Sequence, residues 1–97
     1  LTIDTIGERA LIERLRARVG APPAWVHVGI GDDAAVLAPA RGELDVLTTD
    51  SLVEDVHFRR AWSGGESIGH KAVAVNLSDL AAMGATPRAI LLSLALP

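Results

Sequence analysis

The apolar run Val73–Met83 holds one carboxylate, Asp79, in its middle, and no other feature restricts the fold of this 97-residue chain as strongly. If the run is helical, the neighbours of Asp79 three and four residues away are Val75, Asn76, Ala82 and Met83. None is a cation, and Lys71 lies two turns away. A carboxylate buried without a partner costs several kcal/mol or surrenders its charge. A divalent metal shared with other aspartates would offset that cost. The other reading has Asp79 facing solvent or accepting helix-terminal N–H groups, and spacing leaves both open.

Other acids stand near residues suited to the same role. Asp32-Asp33 follows Gly29-Ile30-Gly31, Asp50 ends Leu47-Thr48-Thr49, and Glu54-Asp55 precedes His57. Glycines let backbone approach a ligand closely, and carboxylates suit hard cations such as magnesium. An ordinary Gly-Asp turn explains the first segment equally well. It is neither a phosphate-binding P-loop nor a dinucleotide fingerprint, because no Gly-Lys-Ser/Thr follows and no third glycine has the Rossmann spacing. Thr48-Thr49-Asp50-Ser51 gathers hydroxyls around a carboxylate at an expected strand end, where local hydrogen bonds are the plain alternative. Magnesium takes one or two carboxylates per ion and completes its shell with water and substrate phosphates. Three separated aspartates therefore point to more than one ion bridging a polyphosphate.

Composition narrows the classes. The residues are 49% hydrophobic, which argues against a disordered tail. Two Trp, one Phe and no Tyr make a poor stacking platform, and a net charge of −3 disfavours a nucleic-acid partner. The absence of Cys excludes disulfides, thiolate zinc sites and a cysteine nucleophile, and it is compatible with a cytoplasmic location. His27, His57 and His70 are scattered and form no metal-binding pair. Arg59 and Arg60 either meet an anionic substrate or are simply solvated. Charged residues throughout Leu1–Val19, among them Glu8, Arg9, Glu13, Arg14, Arg16 and Arg18, exclude an apolar targeting segment or membrane span there. A start at Leu1 and a stop at Pro97 straight after an apolar run read as cuts in a longer protein.

The pattern predicts an amphipathic helix over Glu8–Val19, with Leu11, Ile12, Leu15 and Val19 on one face. Gly20 and Pro22-Pro23 stop it. Val26–Ile30 is a short apolar piece leading into Gly31-Asp32-Asp33, Ala34–Leu37 reads as a short strand, and Pro39–Gly42 as a turn. Leu44–Asp50 alternates as a strand does. Ser63-Gly64-Gly65-Glu66 has capping-box spacing and opens a helix to about Met83, ended by Gly84. Ile90–Leu96 is apolar on both faces, as in a strand covered on both sides. The order fits α+β or α/β, with α+β the class adopted below.

Taken together, Gly29–Leu37 (GIGDDAAVL), Leu47–Phe58 (LTTDSLVEDVHF) and Gly69–Pro87 (GHKAVAVNLSDLAAMGATP) resemble the N-terminal part of the thiamine-monophosphate kinases. That family belongs to the aminoimidazole ribonucleotide synthetase-like superfamily. Asp55 departs from the pattern, where a glycine or small residue is expected. The resemblance implies an α+β domain with a mixed or antiparallel sheet and flanking helices, whose strands build an intersubunit barrel in a homodimer. It also implies an ATP- and magnesium-binding domain over residues 1–97, completed in the family by a C-terminal domain. The implied activity is transfer of the ATP γ-phosphate to thiamine monophosphate, giving thiamine diphosphate, with several magnesium ions holding the phosphates. Asp33, Thr48, Thr49, Asp50 and Asp79 match the family's metal ligands, and His57 matches a substrate-contacting position. The alternatives are another ATP-using enzyme of the superfamily, of selenophosphate synthetase or hydrogenase-maturation type, and a non-catalytic dimerisation module.

Overall fold

The protein is described by a computed structural model covering residues 2–97, so Leu1 lies outside the described residues. Helix α1 (Ile3–Ile6) is followed after Gly7 by α2 (Glu8–Val19). On α2, Leu11, Ile12 and Leu15 are half-buried while Val19 is exposed, so the apolar stripe holds for its first two turns only. Strands β1 (Val26–Val28) and β2 (Val36–Leu37) pair antiparallel, with Val26 opposite Leu37 and Val28 opposite Val36 across an irregular register. An Ala38 N–H donated to the Trp25 carbonyl at 2.8 Å extends this pair. Helix α3 (Gly65–Ala82) is the long helix that surrounds Asp79. These elements make the chain α+β, with a two-stranded sheet in place of the larger one expected.

Two compact units divide the chain. One comprises residues 1–43 with 92–97 and contains α1, α2, β1 and β2; the Ile3 N–H donates to the Pro97 carbonyl at 3.2 Å within it. The other comprises residues 44–91 and contains α3. No described side chain is buried. Units of this size have too little interior to remove large side chains from water on their own.

Two expected strands do not form. Leu44–Asp50 and Ile90–Leu96 join no ladder among the described residues, and Leu44, Leu47 and Leu91 are 94%, 91% and 89% exposed. Alternation or apolarity can nominate a strand, but its backbone hydrogen bonds require a second strand in register. Neither segment finds one here.

The start of α3 differs from the capping-box expectation by one position. The N-cap is Gly64, with no side-chain cap, so Ser63 stands just outside the helix and Glu66 falls one residue too early to reciprocate. The end is as the pattern predicts. Gly84 has φ +68, its N–H donates to the Ala81 carbonyl at 3.0 Å, and the Ala85 N–H donates to the Leu80 carbonyl at 2.9 Å. This is a Schellman closure, which requires the left-handed backbone that glycine adopts without a Cβ penalty. Gly84→Ala is expected to destabilise the protein by about 1 kcal/mol, because left-handed backbone costs an L side chain roughly that much. Urea unfolding of the intact protein checks this: the midpoint should fall with an unchanged slope.

Candidate functional site

Within the unit formed by residues 44–91, α3 carries Asp79 and the segment before it carries Thr48, Thr49 and Asp50. Asp79 is exposed, not buried, so of the two readings the spacing left open it is the solvent-facing one that holds. Its neighbours Val75 and Asn76 are half-buried while Ala82 and Met83 are open, so the helix face around it is wet. Nor is it without a protein partner: Thr48 Oγ1 donates to Asp79 Oδ2 at 3.5 Å. That length is the outer limit of a hydrogen bond and makes the contact weak. It nevertheless brings together a hydroxyl and a carboxylate 31 residues apart in the chain. Asp50 and Thr49 are exposed, and the Asp50 carboxylate is unpartnered among the described residues.

The other unit holds Asp33. Gly31 stands at φ +110, a conformation reserved in practice for glycine, and turns the chain into Asp32-Asp33. The Asp33 N–H donates to Asp32 Oδ1 at 2.8 Å, which occupies one oxygen of Asp32 and leaves the Asp33 carboxylate free among the described residues. An open depression of about 320 Å³ runs beside this turn, lined in part by Arg16 and His27. No cluster of three or more His, Asp or Glu side chains forms a ready-made metal site among the described residues. The oxygen donors themselves (Asp33, Thr48, Thr49, Asp50 and Asp79) suit magnesium, which in any case is seldom caged by protein alone.

His57 sits in a tight turn. Its N–H donates to the Val53 carbonyl and its Nδ1 accepts the Val53 N–H, both at 2.9 Å. The Asp55 N–H donates to the Phe58 carbonyl at 2.7 Å, closing the turn from the other side. Asp55 has φ +65, so the position where a glycine or small residue is expected does adopt the left-handed backbone. Aspartate tolerates that conformation better than most side chains, because its short polar group bonds locally.

Both arginines after the turn are engaged by it. Arg60 Nε donates to the two carboxylate oxygens of Glu54 at 2.8 and 2.9 Å. The Arg59 guanidinium pairs with Asp55 at 3.4 Å and lies 4.6 Å from the ring centre of Trp62. His57, Phe58 and Trp62 line an open depression of about 360 Å³ beside them. Sequence reasoning did not pair Glu54 with Arg60, nor Arg59 with Trp62. Glu54 and Arg60 are six positions apart, beyond the three- and four-residue neighbours of a helix and about 20 Å apart along a strand, so no pattern signals the pair.

The Arg60 hydrogen bonds hold the Glu54 carboxyl below the usual carboxylate range, against a smaller desolvation effect. A lowered carboxyl pKa contributes stability at neutral pH that is lost as pH falls through the folded-state value. The pair is exposed, so the effect is small. Glu54→Gln should therefore narrow the stability gap between neutral and acid solution without shifting the neutral-pH midpoint much. Denaturation midpoints taken from about pH 7 to about pH 3 check the slope.

Residues 31–97 match the family described as AIR synthase related protein, N-terminal domain. The chain is 53% identical over 72 residues to a protein of Bacillus subtilis (strain 168) named Thiamine-monophosphate kinase, covering 74% of this chain and 22% of that protein. A protein of the same name from Synechococcus elongatus is 46% identical over 96 residues, covering 99% of this chain and 28% of its own length. Another from Escherichia coli (strain K12) is 44% identical over 91 residues, covering 94% and 28%. The chain thus spans about a quarter of the length of these relatives. No solved structure matches it.

Proposed function

The chain belongs to the AIR synthase related proteins, as their N-terminal domain, and from that premise we propose that it forms the ATP- and magnesium-binding part of a thiamine-monophosphate kinase. The likeness to relatives carrying that name, 46% over 99% of the chain in one case, is the observation that carries this reading. The approach of Thr48 to Asp79, with Asp50 close by in sequence, supports it.

In this reading the reaction passes the γ-phosphate of ATP to the phosphate of thiamine monophosphate and yields thiamine diphosphate and ADP. Phosphoryl transfer of this kind depends on positioning and charge neutralisation more than on covalent help. The acceptor is already largely ionised at neutral pH, so no general base among the described residues is required. Magnesium, when bound, supplies the positive charge that offsets repulsion between two polyanions. Asp33, Asp50 and Asp79 would hold it with Thr48 and Thr49. Thr48 also orients the Asp79 carboxylate through its hydroxyl. His57 contacts the acceptor from its turn. A homodimer, a further domain that closes the site and a cytoplasmic location complete the proposal. The described residues contain no helix long and apolar enough to cross a membrane.

The direct test is formation of thiamine diphosphate by the intact protein from ATP and thiamine monophosphate, followed against magnesium concentration. Turnover that rises with magnesium is expected. Failure to use thiamine monophosphate at any magnesium level, with another phosphate or selenide acceptor used instead, would overturn the substrate.

A further inference from the structure

We infer that Lys71 is a positioning residue for His57, holding the ring so that it offers an Nε2–H donor to an anionic oxygen. The identity of that oxygen, on the acceptor phosphate, rests on the reading above; the positioning itself does not. The argument begins with the hydrogen bond from the Val53 N–H to His57 Nδ1 at 2.9 Å. A ring nitrogen that accepts a hydrogen bond carries no proton, so the neutral ring holds its proton on Nε2. Protonating Nδ1 as well would set an N–H against an N–H and break this contact. The turn therefore selects one tautomer.

The geometry persists only while the turn keeps its shape, and Lys71 is what fastens it to the long helix. Lys71 Nζ donates to the backbone carbonyl of His57 from the second turn of α3. The two residues are 14 apart, so the bond bridges the loop to a rigid element instead of bracing the loop within itself. His57 is then fixed at three atoms: its N–H by the Val53 carbonyl, its Nδ1 by the Val53 N–H, and its carbonyl by Lys71. Nε2 is left as the ring's remaining polar atom. The ammonium keeps two further N–H donors, so it is the split between the two substrates' KM values that separates this role from direct phosphate binding. Pre-fixing a donor in this way lowers the entropy lost when its partner binds.

Nitrogen-15 spectra of the imidazoles in the intact protein, assigned through His57→Gln, test the tautomer directly. The wild type should show protonated Nε2 and bare Nδ1 at His57. Lys71→Met retains the apolar stem and suits a helix, but has no donor; it should give a mixture of tautomers. Lys71→Arg retains a donor and should restore the single form. In kinetics, Lys71→Met should raise KM for thiamine monophosphate about tenfold, the scale of one hydrogen bond to a charged group, while KM for ATP and kcat stay within about twofold. Lys71→Arg should recover most of that loss.

Protonated Nδ1 in the wild type would overturn the inference, as would an unaltered tautomer in Lys71→Met. An equal rise in KM for both substrates would overturn it too, by making Lys71 a general phosphate contact. A protein inactive on thiamine monophosphate that still shows the Lys71-dependent tautomer would uphold the positioning role and reject only the substrate.

Discussion

Asp50→Asn and Asp79→Asn in the intact protein are each expected to lower phosphoryl transfer by on the order of a hundredfold or more, because each removes a charge that would hold magnesium at the phosphates. Raising the magnesium concentration should recover part of the loss. Stability supplies the control. Asp79 is exposed and its bond from Thr48 is long, and an asparagine oxygen can still accept that bond. The unfolding free energy in chelator should accordingly change by no more than about 0.5 kcal/mol. Full activity with ordinary magnesium dependence in both variants would remove these residues from the metal site. A large loss of stability in Asp79→Asn would instead make the carboxylate a structural element.

The 97-residue chain alone is expected to self-associate and to show negligible kinase turnover. Its described residues bury no side chain, and the segments around Leu44, Leu47 and Ile90–Leu96 present apolar side chains to water. Unpaired apolar backbone of this kind pairs with whatever edge it meets. A second copy is the partner always present, and the intersubunit barrel implied by the resemblance supplies an ordered way to use it. Turnover should be negligible because the chain spans only about a quarter of its kinase-named relatives, too little to carry both substrates' contacts. Sedimentation at rising concentration and a kinase assay on the same sample check both parts. A monomer that persists at high concentration would contradict the first, and turnover near that of a full-length relative would contradict the second.

Several features were legible because their causes are local. The amphipathic stripe of Leu11, Ile12 and Leu15 marks α2, and the apolar run ending at Gly84 marks α3. The acids that would bind metal were also visible, since carboxylates and hydroxyls declare their chemistry by type. Asp55 is a subtler case: the place where a small residue was expected is a left-handed position, as the turn requires.

What could not be read depends on pairs distant in the chain. A helix satisfies its backbone four residues away, so composition and spacing suffice to propose it. A strand does so only against another strand, which is why β1 and β2 formed while Leu44–Asp50 and Ile90–Leu96 stayed unpaired. The same limit applies to side chains. That Asp79 faces water and meets Thr48, that Glu54 takes Arg60, and that Lys71 fastens the His57 turn are all consequences of folding. The sequence by itself determined the two longer helices, α2 and α3, their glycine stops and the inventory of oxygen ligands. Only the tertiary structure decided which of those groups meet and which remain open to water, because such contacts join residues that no periodicity connects.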